Sequence, residues 1–142
     1  MPAKLLITFA ALVWGLGVPV LEINDTHVFN PDWTPHVRIH EVWQLFTNTS
    51  LGVLCIWLAW ARDDARLAAV LGLTITGGFM AAFLLRGAYG GSMKYLDGSE
   101  KTVAGMNIGV LGFTVVIACL CCAFFLDWKG RQARSVSTRP DI

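Results

Sequence analysis

The chain has 142 residues, of which 55% are hydrophobic and 15% charged, and its formal net charge is +1. A soluble domain carries about 25% charged residues, whereas long windows of this chain carry almost none, a pattern that excludes an ordinary soluble core and points to an integral membrane protein. The near-neutral balance offers nucleic acid nothing to bind, and no nucleic-acid partner is expected.

The first apolar run, 5–21, is uncharged and long enough to span, and Glu22 closes it. Pro19-Val20-Leu21-Glu22 lacks the small residues of a signal-peptide cleavage site, so the run reads as a retained first helix. Gly15 and Gly17 permit close helix contact, and Pro19 is expected to kink or end the helix.

The loop at 22–41 holds the most informative stretch. Asn24, Asp25, Asn30, Pro31 and Asp32 are turn formers, and Asn24-Asp25-Thr26 is a formal glycosylation sequon. A helix is expected to start at Pro35, capped by the Thr34 hydroxyl. On that helix His36, His40 and Gln44 are four residues apart and share a face, and Thr47 and Asn48 carry polarity into the apolar span at 42–61. Trp43, Trp57 and Trp60 stand near the ends of that span, as interfacial aromatics do.

Arg62-Asp63-Asp64-Ala65-Arg66 is a short charged turn, which makes the spans on either side antiparallel neighbours. The third span, 67–85, carries Thr74, Thr76, Gly77 and Gly78 and ends at Arg86. A glycine-rich loop follows, with Tyr89 and Tyr95 suited to the interface. The fourth span, 104–126, opens with a GxxxG at Gly105 and Gly109 and places Asn107 about one turn inside the membrane. Residues 127–142 form a basic tail. The expected fold is an all-α membrane protein of one domain, 1–126: a four-transmembrane-helix up-down bundle. Lys4, Arg62, Arg66, Lys129, Arg131, Arg134 and Arg139 would share one side, against Arg38, Arg86, Lys94 and Lys101 on the other. That imbalance predicts cytoplasmic termini, in a bacterial inner membrane, with the 22–41 loop exoplasmic.

Such a topology gathers polar side chains from every span into the outer leaflet, and three readings follow. In the first, a pocket binds a hydrophobic small molecule such as a lipid, sterol or isoprenoid, with isomerase-like acid–base chemistry. His40, Glu41 and Glu22 would then move the proton, while His36, Gln44, Asn48, Arg86 and Asn107 hold the substrate. In the second, His27, His36 and His40 bind a metal ion as cofactor. In the third, the chain is a non-catalytic accessory or assembly subunit of a larger membrane complex, or a homo-oligomer. His27 and Arg38 would then lock the first loop to Arg86 and Asp97. Cys55, Cys119, Cys121 and Cys122 all fall in apolar stretches without a CxxC pair, and read as small packing residues.

Asn30-Pro31-Asp32-Trp33-Thr34-Pro35-His36-Val37-Arg38-Ile39-His40 resembles the N-P-x-W-x-P-H-x-R-x-H signature of small four-span membrane proteins of bacteria and fungi, a family labelled only as a domain of unknown function. The resemblance implies a four-helix membrane bundle and no established activity. In layout alone the chain is also similar to the EXPERA group, which includes sterol isomerase and the sigma-2 receptor. That likeness implies that a bundle of this size can hold a pocket for a sterol-like ligand, and it transfers no residue roles.

Overall fold

A computed structural model describes residues 1–95 and 97–137. The chain is mostly helical. Its elements are α1 (Pro2–Leu12), a π-helical turn (Val13–Gly17), α2 (Val18–Glu22), α3 (Pro35–Ala61), α4 (Ala65–Tyr89), β1 (Thr102–Val103), β2 (Met106–Asn107) and α5 (Ile108–Ser137). Four continuous helical stretches are long and apolar enough to cross a membrane: Pro2–Glu22, Pro35–Ala61, Ala65–Tyr89 and Ile108–Ala133. They pack as a bundle and the chain is read as an integral, multi-pass membrane protein.

The first helix neither ends nor breaks at Pro19. A proline has no N–H to give the carbonyl four residues back, and its ring crowds that carbonyl. Here that carbonyl belongs to Gly15, and the helix widens into a π turn around it. The released Gly15 carbonyl accepts a hydrogen bond from the Thr49 hydroxyl of α3 at 2.8 Å. Gly15 also meets Gly52 of α3 almost backbone to backbone: a Cβ on Gly15 would stand 3.2 Å from the Gly52 Cα. Small residues at a crossing are what let membrane helices approach this closely.

The core continues the same theme. Ala10, Ala11, Ala59, Ala68 and Ala123 are buried along with Ile7, Trp14, Cys55, Val116 and Leu120. Leu120 of α5 fills the space over Gly72 of α4, and Phe79 stacks on Phe113 with centroids 4.2 Å apart.

At one end of the bundle the start of α1, the α3–α4 turn and the last third of α5 come together. Trp60 donates its indole N–H to the Thr8 hydroxyl at 2.9 Å, and Lys4 pairs with Asp63 at 2.8 Å. The Asp127 carboxylate, 11% exposed, takes Arg131 at 2.7 Å and Arg66 at 3.7 Å. Arg131 also donates to the Asp63 carbonyl. At the other end lie Glu22, the first loop, the start of α3, the end of α4 and the β1–β2 hairpin.

Three boundaries differ from the expected ones. The α3 start stands as expected, with the Thr34 hydroxyl accepting the Val37 N–H at 3.3 Å. α4, however, runs past 85 to Tyr89, where Gly90 turns left-handed at φ +75° and the Gly91 N–H caps the Arg86 carbonyl at 2.8 Å. The fourth helix begins at Ile108 instead of 104, because Ala104 and Gly105 both take positive φ and turn β1 back onto β2. Gly105 and Gly109 are thus not a GxxxG on one helix face. The tail is also helical at its start: α5 continues through 127 to Ser137, and residues 138–142 lie outside the described residues.

Candidate functional site

The first turns of α3 sort the expected site residues by face. Proline at the first helical position and the Thr34 cap set the helix phase, and the 3.6-residue period does the rest. His36, His40, Gln44 and Thr47 lie on the exposed side. The inward side is one step around: Arg38, Glu41, Leu45, Asn48 and Gly52. The expected His36–His40–Gln44 stripe therefore does not line an interior pocket. The periodic signal was real, but it marked the outer face.

Glu41 is the member of the expected acid–base set that turns inward, and it meets Glu22 from the end of α2. Their side chains lie within hydrogen-bonding reach of each other. The second Glu41 oxygen, Oε1, is buried without a hydrogen-bond partner among the described residues, and so is Arg38 Nε. Arg38 donates from Nη2 to the Pro31 carbonyl at 3.3 Å and so ties α3 to the loop before it. Asn48 sits half-buried at the Gly15–Gly52 crossing, where its carbonyl faces Gly15. It does not line the cleft that holds Arg86 and Asn107.

The histidines divide in two. His36 and His40 touch, Nε2 to Nε2, at 3.1 Å. His27 is elsewhere: its Nδ1 contacts the Thr26 hydroxyl at 2.8 Å, and its ring packs edge-on against Trp33 and Tyr95. Among the described residues no three His, Cys, Asp or Glu side chains gather around a common point. The expected three-histidine metal site is thus not assembled. The His27–Tyr95 contact does join the two loops. The partners expected for that lock differ: Arg86 points at Phe83, and the Asp97 carboxylate accepts the Ser99 N–H at 2.9 Å and its hydroxyl at 2.6 Å. Those two hydrogen bonds hold the Asp97 carboxyl below its ordinary pKa.

Of the residues expected to hold a substrate, Arg86 and Asn107 come together, without His36, Gln44 or Asn48. They line a cleft of about 360 Å³ between the end of α4, the glycine loop, the hairpin and the start of α5. Phe83, Met93, Met106 and Val110 make its apolar wall, and Lys94, Ser92 and Glu100 its polar rim. The Arg86 guanidinium lies 4.2 Å from the Phe83 ring centroid and donates to the Phe83 carbonyl at 2.7 Å. Neither Arg86 nor Lys94 makes an ion pair among the described residues. Asn107 is not inside a helix but caps one: its Oδ1 accepts the Gly109 N–H at 2.8 Å and the Val110 N–H at 3.2 Å. Only its NH₂ is left to meet a ligand. Lys94, Ser92 and Glu100 went unread in the sequence because an irregular glycine loop has no period to reveal which side chains face inward.

The cysteines are unpaired among the described residues. Cys55 is buried and donates to the Ala68 carbonyl at 3.4 Å, and Cys122 is exposed. No family model, no curated protein and no solved structure matches this chain.

Proposed function

We propose that this protein binds an anionic amphiphile, a membrane lipid or a lipid-like molecule, in the cleft beside Arg86. The observation that carries the reading is the pairing of two cations that make no ion pair among the described residues, Arg86 and Lys94, with an apolar wall of Phe83, Met93, Met106 and Val110. Both side chains are exposed, Glu100 on the same rim pairs with neither, and a guanidinium in that state can grip a phosphate or carboxylate with two parallel N–H bonds. The apolar wall suits the first carbons of an acyl or isoprenoid chain. The proposed setting is a bacterial inner membrane, with four spans alternating up and down and both termini cytoplasmic. The Lys and Arg imbalance supports that orientation, which puts the cleft in the exoplasmic leaflet.

The proposal is binding without proton-transfer chemistry. Isomerase-like catalysis would need Glu22, Glu41 and His40 to reach the bound molecule. None of them lines the cleft, which is built from the other two helices and the second loop. The test is native mass spectrometry of the full chain released gently from its membrane, followed by exchange with phosphatidylglycerol or phosphatidylcholine. The expected result is a retained anionic adduct, preference for phosphatidylglycerol, and loss of that preference in the Arg86→Ala/Lys94→Ala double variant. Equal retention of both lipids by wild type would overturn the reading. Co-release with larger chains, without a small adduct, would favour the accessory-subunit reading instead.

A further inference from the structure

We propose that His36 and His40 chelate a divalent first-row transition ion, zinc or copper(II), on the exposed first two turns of α3. This site is separate from the Arg86 cleft and does not depend on it.

The geometry rests on one distance. The two Nε2 atoms stand 3.1 Å apart, with the imidazole planes at 84° to each other. Two nitrogens bound to one such ion, each about 2.0–2.1 Å from it, stand about 2.8–3.4 Å apart for octahedral through tetrahedral angles. The pair therefore already has the separation of adjacent ligands, and a small rotation of the rings from their present hydrogen-bonded contact would turn both lone pairs onto one ion. The separation of one helical turn explains why: residues at i and i+4 stack on one face.

The platform beneath the pair is held. Thr34 caps the helix, Pro35 restricts its first position, and Arg38 ties it back to the Pro31 carbonyl. Trp43 flanks His40 with ring centroids 5.9 Å apart and restricts that imidazole further. Both histidines are exposed, so an ion can arrive from water.

Imidazole selects zinc, copper or nickel over calcium and magnesium, which prefer oxygen. Among the described residues no third His, Cys, Asp or Glu joins the pair. Water or an incoming donor molecule then fills the remaining positions, and the ion is exchangeable.

The test uses the full chain in detergent, free of any histidine tag, titrated with zinc and, separately, with copper(II) under electron paramagnetic resonance. The expected outcome is saturable uptake of one ion per chain and a copper spectrum split by two nitrogens. His36→Ala and His40→Ala each weaken uptake by about tenfold or more, because either leaves a single imidazole. His27→Ala leaves it unchanged. The exposed positions allow these variants to fold, and the nitrogen count in wild type stands independently of them. Uptake that survives in both variants, a single-nitrogen spectrum, or no saturable uptake would each overturn the proposal.

Discussion

The two ends of this bundle are built on opposite terms. At the end holding the start of α1 and the α3–α4 turn, Lys4, Asp63, Arg66, Asp127 and Arg131 answer one another, and Trp60 hydrogen-bonds Thr8. At the other end, Glu22 faces a like carboxyl group on Glu41. There Glu41 Oε1 and Arg38 Nε are buried without partners among the described residues, and Arg86 and Lys94 lack counter-charges. Each buried unpaired atom costs about 1–3 kcal/mol, and besides Glu41 Oε1 and Arg38 Nε only Trp14 Nε1, in the core, is in that state among the described residues. The contrast teaches where to look. One end closes its charges on one another, and the other leaves polar groups without partners among the described residues.

The comparison breaks most severely if the link between the two ends is cut. Gly15→Leu drives a side chain into the Gly52 backbone, which cannot yield as a flexible side chain would. It should destabilise the fold by about 3 kcal/mol, read as a large drop in the thermal midpoint in detergent. A midpoint within a degree of wild type would mean the crossing is not as close as described. Asp127→Ala comes next. It removes the half of the charge cluster that is most buried and should lower stability by about 2 kcal/mol, while phosphatidylglycerol retention in the fraction still folded is unchanged. A variant that kept its stability but lost the lipid would reverse the assignment of the two ends.

Glu41→Gln sharpens the contrast with the opposite sign. An amide NH₂ can donate to the facing Glu22 carboxyl group, which the Glu41 carboxylate cannot do, so the variant should be more stable than wild type at neutral pH, by about 1 kcal/mol. A loss of stability on thermal melting would show that the carboxyl pair is satisfied as it stands. The smallest effect is expected at the thiols. Alkylation of exposed Cys122 should leave lipid binding unchanged, and loss of binding without unfolding would give that cysteine a role.

Much of the fold was legible in the residues themselves. The four spans, the Thr34 cap and the Pro35 start follow from local composition and local hydrogen bonding, and the structure has them. So does the contact of His36 with His40, because i and i+4 meet on any helix. The site was legible only in part. Arg86 and Asn107 do share a cleft, but Lys94, Ser92 and Glu100 join them from a loop whose path no periodicity encodes. Asn107 was misplaced by one structural context: two left-handed residues before it, Ala104 and Gly105, turn a helical GxxxG into a hairpin and make Asn107 a cap.

Local hydropathy along the sequence determines that this chain forms four long apolar helices, because an uncharged run of that length can satisfy its backbone in lipid only as a helix. Its cap and its proline determine where α3 begins. Which side of α3 faces inward was decided only by tertiary packing. The Gly15–Gly52 crossing and the Thr49 hydrogen bond to the carbonyl that Pro19 releases fix the rotation of α3 about its axis. That rotation turns Glu41 toward Glu22 and leaves His36 and His40 outside. A helical period reveals which residues share a face, but only a neighbouring helix decides which face is buried.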